Sequence, residues 1–195
     1  MSPIKATRIS LLAIAAVFAL SAGAASAQWD MASQTELSDQ GNKLRPGEYR
    51  QLVDFQPSAP VTVVVDVPNQ LAGVYQLDHL VAITTVSTGK PGHETPIGTF
   101  HVVDKAVEHH SNLYNNASMP YMQRLTSDGV AIHAGKIPGT PASHGCIRMP
   151  LGMAKLLFGA TKVGTEVTVI DGPAPAEELQ TAGLGRDGHA SSPAG

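Results

Sequence analysis

Runs of β-branched residues separated by turn residues dominate the middle of the chain. The first run, from Val61 to Val67, ends at Pro68-Asn69, which is typical of a strand that stops at a turn. Later runs have the same character, and Gly89-Lys90-Pro91-Gly92 separates two of them as a turn cluster. The pattern predicts strands over 61–67, 71–76, 80–88, 99–104, 129–134 and 166–170.

One segment carries a convincing helical pattern, from Pro150 to about Phe158. Proline suits the first helical turn, because the N–H that it lacks has no partner there in any case. Apolar residues then recur on one face of the segment. The chain is therefore predicted to be mainly β, with one clear helix and a single folded domain over 60–171.

The two ends of the chain differ from this domain. Lys5 and Arg8 precede a short apolar run and the small residues Ala25-Ser26-Ala27, which predicts a secretory signal peptide over 1–27 and export to the periplasm. The run is shorter than the roughly 20 residues that cross a bilayer, so no membrane span is expected after cleavage.

Segment 28–59 is polar and broken by prolines, which predicts a linker, partly ordered near Tyr49–Phe55. Segment 172–195, rich in Ala, Gly, Pro and Ser, is predicted to be a disordered tail.

Charge and cysteine content narrow the function classes. The formal net charge is −3 and no Lys/Arg run occurs, which argues against a nucleic-acid partner, since such a protein needs a basic surface for phosphates. The chain has one cysteine, so an exported form cannot make an internal disulfide. Such a thiol either does chemistry or is buried.

That cysteine stands in the sequence Ser143-His144-Gly145-Cys146-Ile147-Arg148, and His133 lies thirteen positions before it. A neighbouring imidazole can take the thiol proton and produce a nucleophilic thiolate. If 144–146 is extended, His144 and Cys146 project to the same face. Gly145 permits close approach of a substrate, and its N–H and that of Cys146 are candidate oxyanion donors. The alternative is a small buried hydrophobic residue.

This motif, preceded by Ala131-Ile132-His133, resembles the signature of the L,D-transpeptidase catalytic-domain (YkuD-type) family. The resemblance covers about 59–170 and includes Ser87-Thr88-Gly89-Lys90, Thr95-Pro96-Ile97-Gly98-Thr99-Phe100 and Gly164-Thr165-Glu166-Val167. It implies a β-sandwich-like fold with the cysteine in a covered groove. The nine residues between His133 and Ser143 make this connection shorter than in many members, which resembles a short-loop branch of the family.

The resemblance also implies roles for individual residues. Cys146 would be the nucleophile, and His133 the general base, oriented by a backbone carbonyl near Ala134. Ser143, His144 and Gly145 would shape the site. Arg148 would support the loop or meet a substrate carboxylate, a structural ion pair being the alternative. Tyr121 is either part of a lid that binds substrate or a core aromatic residue.

The activity implied is attack on a peptidoglycan stem tetrapeptide, at the bond between a diamino acid and D-alanine. The resulting thioester would pass to an amine acceptor on the wall, on a wall-linked protein or on a free D-amino acid. Water as the acceptor would make the enzyme a carboxypeptidase or hydrolase, and a non-catalytic wall-binding module is a third interpretation. No cofactor is expected. No metal site is expected either, since the remaining histidines match no zinc spacing. An activated lone thiol is prone to oxidation, which makes a periplasmic thiol reductase a candidate partner.

Overall fold

The computed structural model of the chain describes residues 31–111 and 116–172. The predicted signal peptide and positions 173–195 of the predicted tail lie outside these ranges. No helix within them is long and apolar enough to cross a membrane. The described elements are helices α1 (Met31–Gly41) and α2 (Leu151–Ala160), and strands β1 (Tyr49–Gln51), β2 (Thr62–Asp66), β3 (Leu71–Gln76), β4 (His79–Thr85), β5 (Gly98–His101), β6 (Asp104–Ala106), β7 (Met122–Arg124), β8 (Ala131–Ala134), β9 (Ile147–Met149) and β10 (Glu166–Ile170).

The strands form two sheets. Six of them make one sheet in the order β1-β4-β3-β2-β10-β5, and the other four make a second sheet in the order β6-β7-β8-β9. Most neighbours are antiparallel, but β2 pairs with β10, and β8 with β9, in parallel. The two packed sheets confirm the prediction of a mainly β fold.

The main core lies between the sheets and beneath α2. Val63 and Val74 reach it from the six-stranded sheet, Ile132 and Ile147 from the four-stranded sheet, and Leu157 from α2. All five side chains are fully buried. Because side chains alternate along a strand, the neighbours of Ile132 and Ile147 project from the opposite face of the smaller sheet.

Helix α1 corrects the sequence analysis, which predicted one clear helix and a partly ordered linker over 28–59. The helix packs on the outer face of the six-stranded sheet, where Leu37 is fully buried against Val64, Tyr75 and Ile83. Leu37 comes so close to Gly73 that a Cβ there would lie 3.0 Å from it. Strand β1 then pairs with the edge of β4. Much of the segment predicted as a linker is therefore packed against the sheet.

Candidate active site

The parallel pairing of β8 with β9 brings the histidine and the cysteine together. His133 of β8 pairs with Arg148 of β9. Cys146 precedes Arg148 by two positions, so it projects from the same face as His133. Ile132 and Ile147 occupy the other face, in the main core. Residues thirteen positions apart in sequence thus lie on one face of the sheet, two register positions apart, and line the same cavity.

The imidazole of His133 is buried and held by a backbone carbonyl. Its Nδ1 lies 2.8 Å from the carbonyl oxygen of Ala134. A carbonyl oxygen only accepts, so the neutral ring must carry its proton on Nδ1 and present an unprotonated Nε2. Burial is the largest influence on this group and lowers the pKa of His133 below its ordinary 6.5, although the bond to Ala134 opposes the shift.

The thiol of Cys146 is half-buried among apolar side chains. It packs against Met119, Met122 and Ala131, and its Sγ lies 3.7 Å from the carbonyl oxygen of Gly129. Burial raises the pKa of Cys146 above its ordinary 9.0, against smaller lowering effects from the Ala131 backbone and Arg148. The resting pair is therefore a neutral thiol beside a neutral imidazole. The sequence analysis considered a thiol that gives its proton to a neighbouring imidazole, and burial opposes that transfer in the resting site.

The Ser143 hydroxyl makes two hydrogen bonds within the loop that carries the nucleophile. Its Oγ accepts a hydrogen bond from the Gly145 N–H at 3.1 Å and donates one to the Cys146 carbonyl at 2.5 Å. The chain bends at Gly145, whose φ is +111°, so 144–146 is not extended as the sequence analysis supposed. Because Ser143 occupies the Gly145 N–H, the Cys146 N–H is the oxyanion donor that remains of the two expected.

Arg148 supports the same loop. Its Nη2 donates to the Ala142 carbonyl at 3.1 Å, and a Cβ at position 135 would lie 2.9 Å from its side chain, so the stem runs close along Gly135. The only salt bridge in the described ranges joins Arg124 to Asp104, so Arg148 takes no part in an ion pair there. Loop support is the role that its contacts match.

His144 and Tyr121 lie in different surroundings. His144 is exposed and meets His93 edge to face, with ring centroids 4.8 Å apart. Tyr121 packs against the main core and lies edge to face with Phe158 at 5.7 Å. Tyr121 is not among the residues that line the cavity described next, so its contacts match the core aromatic residue rather than the lid.

A cavity of about 540 Å³ opens over Cys146 and His133. One wall comes from described residues between β6 and β7, among them Ser111, Ser118 and Met119. At the base of this segment the Tyr121 N–H donates to the Val107 carbonyl at 2.8 Å. The motif supplies Ser143, His144, Gly145 and Arg148 to the other walls, and the segments around His93 and Asp128 complete them. Charged groups of both signs line this cavity: Glu94, Asp128, Lys136 and Arg148.

Sequence reasoning did not identify His93, Glu94, Asp128 or Gly129 as cavity residues. They come from loops that precede Cys146 by 17 to 53 positions, and only the fold brings them to it. Among residues 31–111 and 116–172, no group of three His, Cys, Asp or Glu side chains is placed to hold a metal ion.

Comparison with known proteins places this arrangement in a family. The family model for the L,D-transpeptidase catalytic domain, YkuD, matches residues 60–169, which is more than half of the chain. No match was found among curated proteins.

Solved structures share the fold. The L,D-transpeptidase LdtMt1 in complex with imipenem is 25% identical, with a TM-score of 0.53, over 57% of this chain and 59% of that one. L,D-transpeptidase 3 from Mycobacterium tuberculosis, in complex with a faropenem-derived adduct, is 22% identical, with a TM-score of 0.53, over 58% and 61%. An L,D-transpeptidase from Stackebrandtia nassauensis is 24% identical, with a TM-score of 0.55, over 72% and 66%.

The alignment with LdtMt1 spans only 59% of the length of that chain, so the likeness concerns a domain and not a whole protein. Within that domain the family match includes both His133 and Cys146. The chain belongs to the L,D-transpeptidase catalytic-domain family, YkuD.

Proposed function

We propose that this protein is an exported peptidoglycan L,D-transpeptidase that works through a thioester on Cys146. The observation that carries the proposal is the pairing of β8 with β9, which sets His133 and the only cysteine on one face, beneath one cavity. The bond from His133 to the Ala134 carbonyl leaves Nε2 as a base. A binding module needs neither a base nor a thiol in this arrangement, so the non-catalytic interpretation has less support.

The reaction proceeds by two acyl transfers. Nε2 of His133 takes the thiol proton as sulfur attacks the carbonyl of the diamino acid, and the oxyanion that forms meets the Cys146 N–H. The C–N bond breaks, the proton passes from His133 to the departing nitrogen, and D-alanine leaves. An amine acceptor then attacks the thioester and gives its proton to His133, which restores the thiol on Cys146.

Charges around the cavity suit a donor of this class. A stem tetrapeptide carries carboxylates and, on its diamino acid, an amine. Lys136 and Arg148 are available for the carboxylates, and Glu94 and Asp128 for the amine. The cavity of about 540 Å³ is within the range of sites that enclose a small ligand, about 300–1,000 Å³.

The acceptor and the location remain parts of the proposal. The acceptor is a second stem peptide or an amine on a wall-linked protein, and the predicted signal peptide supports action in the periplasm. The short connection between His133 and Ser143 supports a short-loop branch of the family. A carboxypeptidase or hydrolase would use the same acyl-enzyme with water as the acceptor.

The test is incubation of the purified protein with a stem tetrapeptide that ends in D-alanine. Released D-alanine and a thioester on the Cys146 peptide, found by mass spectrometry, are the expected results, and Cys146→Ala is the control. A second tetrapeptide added as the acceptor should give a cross-linked dimer. Tripeptide alone would establish the carboxypeptidase, and intact tetrapeptide without an adduct would overturn both enzymatic functions.

A further inference from the structure

Thr95 lies behind the cavity wall, yet its hydroxyl reaches the loop that carries the nucleophile. The side chain is 4% exposed, and the cavity lining includes its neighbours Glu94 and Pro96 but not Thr95 itself. Its Oγ1 lies 2.9 Å from the Gly145 carbonyl oxygen and 2.9 Å from the Gly89 backbone nitrogen. The two partners fix the direction of both bonds, because an N–H only donates and a carbonyl only accepts. The hydroxyl therefore donates to Gly145.

This bond orients the peptide group between Gly145 and Cys146. No described peptide bond is cis, so this planar group is trans and its C=O and N–H point in opposite directions. Gly145 and Cys146 line the cavity, whereas Thr95 is buried behind it. With the Gly145 carbonyl turned towards Thr95, the Cys146 N–H is turned towards the cavity.

The other bonds of the loop hold the neighbouring peptide groups instead. Ser143 accepts from the Gly145 N–H and donates to the Cys146 carbonyl, so it restrains the groups before and after this one. Glycine has more backbone freedom than other residues, and the peptide group that follows Gly145 is correspondingly easy to rotate. Thr95 supplies the restraint that Ser143 does not.

Thr95 is itself held in place by a tight turn. Gly89 donates to its hydroxyl, and the His93 N–H donates to the Lys90 carbonyl at 2.8 Å within the same turn. A Cβ at position 89 would run into the His93 carbonyl, so only glycine allows the turn to close in this form. The hydroxyl is therefore set in position before any substrate arrives.

We propose that Thr95 is a positioning residue that aims the Cys146 N–H at the oxyanion during acyl transfer. The proposal rests on the proposed function, since it requires attack on a carbonyl. Thr95 acts through the peptide group and touches neither substrate nor sulfur. Its loss should affect only reactions of Cys146 that pass through an oxyanion.

Two reactions of the same thiol separate this role from a general structural one. Acylation by imipenem passes through an oxyanion, whereas alkylation by iodoacetamide forms a C–S bond with loss of iodide and no oxyanion. Both rates would be measured by intact mass, at one pH, on the full chain. Thr95→Val removes the hydroxyl and Thr95→Ser keeps it. Thr99→Val is the matched control, because Thr99 is exposed on β5 and its hydroxyl faces Thr168 at 3.3 Å.

Thr95→Val should slow acylation by about 10- to 100-fold, less than the roughly 10²–10³-fold that follows deletion of an oxyanion donor. Alkylation should keep its parental rate, Thr95→Ser should recover most of the acylation rate, and Thr99→Val should match the parent in both reactions. If Thr95→Val fails to fold, Thr95→Ala serves as the second hydroxyl-free variant with the same expected difference between the two reactions.

Parental acylation in the hydroxyl-free variant would overturn the proposal, and so would equal losses in both reactions. Absence of an imipenem adduct on the parent would also overturn it, because the site would then accept no acyl group. A parent that is acylated by imipenem but releases no D-alanine from the tetrapeptide would refute the proposed function alone, and the comparison of Thr95 variants would stand.

Discussion

Replacing His133 by alanine should slow D-alanine release by about 10²–10⁴-fold, the usual contribution of a general base. The structure explains why the base is needed. Burial raises the pKa of Cys146 above its ordinary 9.0, so the protonated thiol is the resting form near neutral pH. Sulfur must therefore lose its proton during the attack, and His133 is the base that shares its face of the sheet. The expected loss corresponds to about 3–5 kcal/mol of activation free energy.

The lowered pKa of His133 also predicts how kcat/KM for D-alanine release changes with pH. Burial lowers the pKa of His133 below 6.5, so the imidazole stays unprotonated, and able to accept a proton, to lower pH than an ordinary histidine. The acid limb of kcat/KM for D-alanine release should therefore fall below pH 6.5. Alkylation by iodoacetamide, which reports the thiolate, should rise with pH and have its midpoint above 9.0.

The control is His101→Ala, which removes an exposed imidazole on β5 and should leave both pH profiles unchanged. An alkylation midpoint far below 9.0 that rises in His133→Ala would refute the neutral pair, because it would reveal a resting thiolate beside an imidazolium. A severe loss in His144→Ala with only a mild loss in His133→Ala would mean that the base is misassigned.

Three further predictions concern the nucleophile and the fold. Cys146→Ala should fold normally and form no tetrapeptide adduct, and turnover that survives in it would exclude Cys146 as the nucleophile. Imipenem should add its mass to the parent at Cys146 but not to Cys146→Ala; an unmodified but active parent would contradict a family-like site. Leu37→Ala should lower the free energy of unfolding by about 2–5 kcal/mol, whereas the exposed Leu151→Ala should change it by less than about 0.5 kcal/mol. Equal effects in a denaturant titration would show that α1 does not stabilise the fold.

The sequence predicted those strands in which the pattern of β-branched and apolar residues extends over most of five or six positions. Strands β2, β3 and β10 have five or six residues each, most of them β-branched or apolar, and the predicted and observed positions agree closely. Strands β6, β7 and β9 have three residues each, too few to show an alternation of period two. Helix α1 was missed for a different reason. Its sequence MASQTELSDQG is mostly polar. Among residues 33–41 Leu37 is the one hydrophobic side chain in the core, so tertiary packing rather than an apolar stripe stabilises the helix.

The candidate site divides in a similar way. The chemistry of the thiol and the imidazole could be predicted from the motif, because it depends on residue types that lie close together in sequence. The burial of these two side chains could not be predicted from the motif. Burial is the largest cause of both pKa shifts and favours the neutral forms of Cys146 and His133. The engagement of the Gly145 N–H by Ser143 also depends on a bend at Gly145 that a linear motif does not reveal.

The placement of the nucleophile depends on the larger sheet as well as on its own strand. Beyond the end of β4, Ser87 exchanges two backbone bonds with Arg148, at 2.9 and 3.0 Å, and the Thr88 carbonyl accepts from Ala142 and Ser143 at 3.0 Å. The Gln70 side chain, buried at the turn before β3, binds Thr88 through both its amide oxygen and its amide nitrogen. The six-stranded sheet therefore continues into the segment that clamps the nucleophile loop. Helix α1 buries the outer face of β3 and β4, the two strands that lead to this clamp, so its packing stabilises the geometry of the site although no residue of α1 lines the cavity.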